Sequence, residues 1–292
     1  MKIGLHRISA LLALCSGLQT RAQSTINATN RWAYGANTAW MDWRADRTTG
    51  VVIGEYFCSG FIYAANLGWI DLGNGHPADG VRYQNNSPAD FGVNHDGSGN
   101  LRGYAYGANV GWLSFEDFGA PKVDLRTGRL SGNVYGGNIG WISLGNSLAL
   151  VQTDAIAPGA DTDGDGIADA YEIFWTGGLT RMNASSDLDG DGVSDLREYL
   201  ADTNPLDPLD NLRIITFTFS PNGTNSSATW TARPTRSYSL QVRDDFSPGS
   251  SWADSGLGLI RPDAGSTTTR ALTNGAAPQR FLRIEASRPL SP

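Results

Sequence analysis

The sequence predicts a mainly β protein behind an export signal. Its three folded parts are an N-terminal array of repeated β-hairpins (residues 23–152), a small loop-plus-helix module (153–210) and a C-terminal antiparallel β-sandwich (211–292). Three observations predict it. An aromatic motif recurs four times before residue 142, two near-identical acidic loops follow, and short alternating runs separated by turn signals occupy the rest. A chain of 292 residues exceeds one ordinary domain, so division into several units is expected.

The first 22 residues read as a signal peptide. Lys2 and Arg7 form a basic start, residues 8–18 an apolar stretch, and Thr20-Arg21-Ala22 a cleavage site. The apolar stretch is too short to cross a bilayer and no later run is longer, so no transmembrane segment is expected and the protein reads as secreted or surface-associated. Loss of the leader removes Cys15 and leaves Cys58 alone, which rules out an intrachain disulfide.

The hairpin array rests on Tyr34-Gly-Ala-Asn-Thr-Ala-Trp40, Tyr63-Ala-Ala-Asn-Leu-Gly-Trp69, Tyr106-Gly-Ala-Asn-Val-Gly-Trp112 and Tyr135-Gly-Gly-Asn-Ile-Gly-Trp141. The tryptophans stand 29, 43 and 29 residues apart, which reads as a pair of units duplicated once, with a polar insertion around residues 76–96. Small residues followed by Asn suit a three-residue turn with Asn in the left-handed conformation. An odd-length loop puts Tyr and Trp on one face, while Ile70, Leu72, Leu113, Phe115, Ile142 and Leu144 point to the other and form the expected core. The Tyr/Trp face carries Ser, Asp and Asn as well. Two readings stay open for it. In one, each Trp packs on the next repeat and covers a glycine. In the other, Tyr63, Trp69, Tyr106, Trp112, Tyr135 and Trp141 are stacking platforms for sugar rings. The motif resembles YGxNxGWI-type repeats of secreted bacterial surface proteins.

The two acidic loops are the most specific signal. Residues 161–172 read DTDGDGIADAYE and residues 187–198 read DLDGDGVSDLRE, and both match the calcium-loop pattern D-x-[DN]-x-[DN]-G-x5-E. Ca²⁺ takes six to eight oxygens, and closely spaced carboxylates supply them from one tight turn. Asp161, Asp163 and Asp165, with Asp187, Asp189 and Asp191, occupy the first three ligand positions. Ile167 and Val193 offer backbone carbonyls, Asp169 and Asp195 bind directly or through water, and Glu172 and Glu198 close the two shells bidentately. Gly166 and Gly192 allow the sharp turn. Two bound Ca²⁺ ions are expected.

An EF-hand also needs a helix entering each loop, and Pro158-Gly159 before the first loop and the glycine-rich, polar stretch before the second argue against one. Helices are expected only on the exit sides, over 168–175 and 194–201. A loop plus exit helix resembles dockerin modules and the thrombospondin type-3-like repeats of secreted bacterial proteins. The tail EYLADTNPLDP lies closer to the latter. The resemblance covers about residues 155–210 and implies a calcium-binding connector between other domains; the dockerin form would imply an accessory subunit docked to a larger assembly.

Charge supports the division. The chain carries a net charge of −7. Residues 154–210 alone hold twelve Asp and two Glu against two Arg, so the acidity belongs to the loops. No basic footprint for nucleic acid is present. After residue 211, runs at 212–219, 228–232, 237–242 and 280–284 alternate between turn-rich connectors, which argues for a sandwich with Trp230, Tyr238, Leu240 and Phe281 in its core.

No nucleophile elbow, HExxH zinc motif or phosphate loop occurs, and His76 and His95 read as exposed, inert loop histidines. The expectation is a non-enzymatic, calcium-binding structural or adhesive surface protein, partnered by surface polysaccharide or another surface protein. The alternative is a carbohydrate-binding protein that uses the aromatic face.

Overall fold

The computed structural model describes residues 23–46, 48–220, 224–273 and 280–291. The leader expected at 1–22 and most of the turn at 220–223 lie outside these residues.

Each aromatic motif is the tip of an antiparallel hairpin: Ile26–Gly35 with Ala39–Asp42, Phe61–Ala64 with Gly68–Asp71, Leu101–Gly107 with Gly111–Ser114, and Asn133–Gly136 with Gly140–Ser143. Neighbouring hairpins pair at equivalent positions. Asp42 faces Tyr63, Asp71 faces Tyr106, Ser114 faces Tyr135, and Ser143 faces Tyr34. That last pairing returns the fourth hairpin to the first and closes the sheet into a barrel. A strand at Leu150–Thr153 adds to the start of the first strand.

Small barrels are filled by the inward half of each strand. Here Ala33, Met41, Ile62, Ile70, Ala105, Leu113, Val134 and Ile142 point inward, all buried. Trp43, Leu72, Phe115 and Leu144 form the next layer, and Trp43 meets Phe115 with ring centroids 6.2 Å apart. These residues continue each returning strand, whose alternation sends Trp40, Trp69, Trp112 and Trp141 outward.

The hairpin tips differ from expectation in one respect. Each is closed by a backbone bond of 3.1 Å across the turn, from Thr38, Leu67, Val110 and Ile139 to Gly35, Ala64, Gly107 and Gly136. The left-handed residue then comes two places after Asn, at Ala39 (φ 57°), Gly68 (81°), Gly111 (76°) and Gly140 (76°). The Asn side chain is thereby free to reach the preceding hairpin. Asn37 Nδ2 donates to the Ile139 carbonyl (3.2 Å), Asn109 to Leu67 (2.9 Å) and Asn138 to Val110 (3.1 Å). In three of the four motifs the Asn ties hairpin to hairpin, a role that turn statistics do not suggest.

The polar insertion between the second and third hairpins is well packed. Tyr83 and Asp90 are buried within it, and a strand at Val93–His95 pairs with the third hairpin. His95 is therefore buried, which corrects its reading as an exposed loop residue; His76 is exposed. Cys58 is fully buried, and desolvation pushes its thiol up to about 12.

Beyond the barrel lie two short helices, α1 (Asp169–Thr176) and α2 (Asp195–Ala201), then two three-stranded sheets. One sheet orders its strands Ile214–Phe219, Asn225–Thr231, Thr267–Thr273; the other orders Ala253–Ile260, Ser237–Arg243, Phe281–Ser287. Trp230, Tyr238 and Leu240 are buried between them. Phe281 is not: it is 36% exposed and stacks on Phe246 at 4.4 Å. The inward set of that strand is Leu282, Ile284 and Ala286, one residue out of phase with Phe281.

Candidate calcium sites

The two acidic loops fold alike. In the first, Asp161 Oδ1 accepts from the Gly164 amide (2.8 Å) and Oδ2 from Gly166 (3.0 Å). In the second, Asp187 receives the amides of Gly190 (2.7 Å) and Gly192 (2.9 Å) in the same order. Gly166 and Gly192 adopt φ of 95° and 92°, a region that disfavours any residue with a Cβ. Asp165 and Asp191 accept from the amides of Ile167 (2.8 Å) and Val193 (2.7 Å). That bond aligns the backbone just before each helix. Among the described residues no helix enters either loop, and α1 and α2 leave them as expected.

This folding gathers the carboxylates. One oxygen from each of Asp161, Asp163 and Asp165 lies within 4.8 Å of the others, and the same holds for Asp187, Asp189 and Asp191. Glu172 and Glu198, one turn into their helices, are fully buried. Both oxygens of Glu172 lack a hydrogen-bond partner, as do Glu198 Oε2, Asp165 Oδ2 and Asp189 Oδ2.

A buried carboxylate oxygen with no partner costs far more than a satisfied one. The protein's own groups make matters worse. Desolvation, then the negative charges of Asp165, Asp163, Asp169 and Asp161, pushes Glu172 up to about 7. Glu198 is pushed up to about 8 by desolvation, then by Asp189, Asp191 and Asp195. A divalent cation held between the aspartates and the glutamate reverses both effects, and an all-oxygen donor set suits a hard ion.

Position nine behaves differently from the other ligand positions. Asp169 accepts from the Thr162 amide (2.7 Å) with one oxygen and from the Thr162 hydroxyl (2.6 Å) with the other. Asp195 accepts from the Leu188 amide (3.1 Å) and the Ser186 hydroxyl (2.5 Å). Neither is among the clustered acids, which do not include Glu172 or Glu198 either. Both stitch the first turn of a helix back to the start of its loop. Ile167 is buried in the module's core beside Tyr171, Met182 and Tyr199, whereas Val193 is half-buried.

Residues 161–174 and 187–208 match the family model of the bacterial TSP3 repeat. The match falls on the two loops, their exit helices and the tail after the second. With the clustered aspartates, it supports calcium binding by a structural protein. No match was found among curated proteins or among solved structures.

The module also packs on both neighbours. Tyr171 and Tyr199, each beside a buried glutamate, face one another at 5.1 Å. Tyr199 donates to Glu55 of the barrel (3.2 Å). Arg236 of the sandwich, itself buried, pairs with Glu55 at 2.8 Å and donates to the carbonyls of Leu200 (2.9 Å) and Tyr199 (3.0 Å). Residue patterns gave no hint of this three-way contact, because Glu55 and Arg236 stand in stretches without a motif.

The six aromatic candidates on the barrel form three Tyr/Trp pairs, one on each of three hairpins. Each Tyr lies against the Trp across its own hairpin, at 4.9 Å in the second and third and 5.1 Å in the fourth. Each Tyr/Trp contact is thus made within one hairpin. The pairs spread around the barrel, with Trp69, Trp112 and Trp141 exposed by 44–47%. Among the described residues no helix is long and apolar enough to cross a membrane.

Proposed function

We propose that the chain is an exported, non-enzymatic surface protein in which two Ca²⁺ ions fix the barrel and the sandwich against each other for structural or adhesive work. The observation that carries this reading is the pair of buried glutamates with unpartnered oxygens, each under the negative charge of aspartates from its own loop, where three aspartates cluster. Asp161, Asp163, Asp165 and Glu172 would hold one ion, and Asp187, Asp189, Asp191 and Glu198 the other. The ion supplies charge compensation and a rigid loop, not chemistry. Glu198 adjoins Tyr199, so closing the second shell also sets the residue that touches Glu55 and Arg236. The acidic segment is therefore a wedge between two domains rather than a free tether.

Titration calorimetry of the full chain should give two calcium sites. Limited proteolysis should show cuts near 171–175 and 199–200 in chelator that vanish in millimolar calcium. Unchanged cleavage in the two conditions would sink the wedge.

A second reading, glycan contact by the barrel, draws on the exposure of its Tyr/Trp pairs. Iodide quenching of their fluorescence that polysaccharide relieves would favour it.

A further inference from the structure

Where the three parts meet, they enclose a cleft of about 390 Å³. The barrel's polar insertion contributes Arg82 and His95, the helix α1 contributes Phe174 and Trp175, and the sandwich contributes Thr235 and Arg236. We propose that this cleft binds a carboxylated sugar, with its ring against Trp175 and its carboxylate on Arg82.

Four observations lead there. Phe174 and Trp175 meet edge to face at 4.9 Å, and Phe174 is 54% exposed, so one wall is an open aromatic surface of the kind that accepts the C–H face of a sugar ring. The acids in the cleft already have partners. Glu55 holds Arg236, Asp96 accepts the amides of Ser98 and Asn100 (2.9 Å each), and Asp202 accepts the Thr235 hydroxyl. Arg82 is different. It is exposed, and its guanidinium has neither an ion pair nor a hydrogen bond among the described residues, which leaves a planar cation suited to a carboxylate.

His95 supplies the fourth observation. Its Nδ1 lies 2.9 Å from the Gly54 carbonyl, which can only accept, so Nδ1 carries the proton. Nε2 is left as a buried acceptor with no partner, on a residue that lines the cleft. A sugar hydroxyl, or a water that it holds, is the natural donor to it.

The proposal rests on the calcium reading in one respect: Trp175 stands on the helix that leaves the first loop, so the aromatic wall is in place only when that loop is ordered. It also puts the sugar at the junction and not on the barrel exterior.

The test uses the full chain in millimolar calcium and two probes: a glucuronate-containing disaccharide and the same disaccharide with its carboxyl reduced to an alcohol. Calorimetry should show binding of the acid and at least tenfold weaker binding of the neutral form. Arg82→Gln, at an exposed position, should weaken the acid at least tenfold, and Trp175→Ala should do the same. Full uptake of calcium with no binding of the acid would overturn the cleft and leave the calcium reading intact. Failure to take up calcium would overturn that reading whatever the sugar does. Acid binding that survives Arg82→Gln but is lost in Trp112→Ala would overturn the cleft in favour of the barrel face.

Discussion

The four hairpins of the barrel turn Ile, Leu, Val and Met inward, whereas the two loops of the calcium module turn Glu inward. Both regions are built from near-copies of one short unit, and in both each unit turns one set of side chains inward. In the barrel the buried residue is apolar, so the units satisfy one another and the ring closes without help. In the loops the buried residue is a carboxylate whose neighbours are carboxylates, so two copies cannot satisfy each other, and the clustered aspartates of each loop could hold a metal ion instead. A repeated sequence thus states that a unit recurs; the character of its inward residue states whether the array is self-sufficient.

Removing calcium is the strongest way to break this comparison. At a calcium concentration about a hundredfold above Kd, each proposed site would add about 2.7 kcal/mol to the folded state. Chelation should therefore lower the melting temperature of the module while the barrel's aromatic near-ultraviolet signal persists. A single transition that moves as one in both conditions would show that the two regions do not differ in this way. Glu172→Gln and Glu198→Gln sharpen the test. Each should abolish or weaken at least tenfold the uptake at its own site, because a bidentate ligand loses half its oxygens as acceptors of charge. Arg197→Gln, exposed between the ligands, should change little.

Next in size is a cavity in the barrel. Ile70→Ala should cost about 2–5 kcal/mol by urea titration, with calcium uptake unaffected, since Ile70 is buried far from the loops in the barrel's own cluster. A loss of calcium affinity in that variant would mean the barrel and the module fold as one. Asn138→Ala, which cuts one tie between hairpins, should cost about 0.5–1.5 kcal/mol. The smallest effect is expected at Ala39, the one hairpin tip where a residue with a Cβ takes the left-handed position. Ala39→Gly should stabilise the barrel by up to about 1 kcal/mol, and Gly140→Ala should destabilise it by a similar amount. An opposite sign at either position would show that the tips are governed by something other than backbone strain.

Much of this was readable from the residues, for identifiable reasons. The inward set of the hairpins follows from strict alternation after each Trp, and Ile70, Leu113 and Ile142 lie where alternation puts them. The loops are readable because ligand chemistry fixes both residue type and spacing. What stayed hidden depends on partners distant in the chain. Closure of the ring is a pairing of Tyr34 with Ser143, and no local pattern in either strand announces it. Phe281 reads as a core residue by hydrophobicity alone, but the inward set of its strand, Leu282, Ile284 and Ala286, is one residue out of phase with it. His95 reads as a loop residue because its neighbours, Asn94 and Asp96, are polar; its burial comes from the Gly54 and Tyr56 backbone of another segment.

The meeting of Tyr34 and Ser143 also dictates an order of events during folding. The first strand has one partner that forms at once, across a three-residue turn, and two that lie more than a hundred residues downstream. Until residues 140–153 exist and have folded, the first hairpin offers an unpaired edge, and three of the four units can assemble only into an open, curved sheet. Completion is then a single late step that joins the two ends of the array, and it carries a large loop-closure cost. Folding of the barrel should consequently be slow and all-or-none, with refolding halted by any truncation before residue 144 even though the missing piece is one hairpin in four.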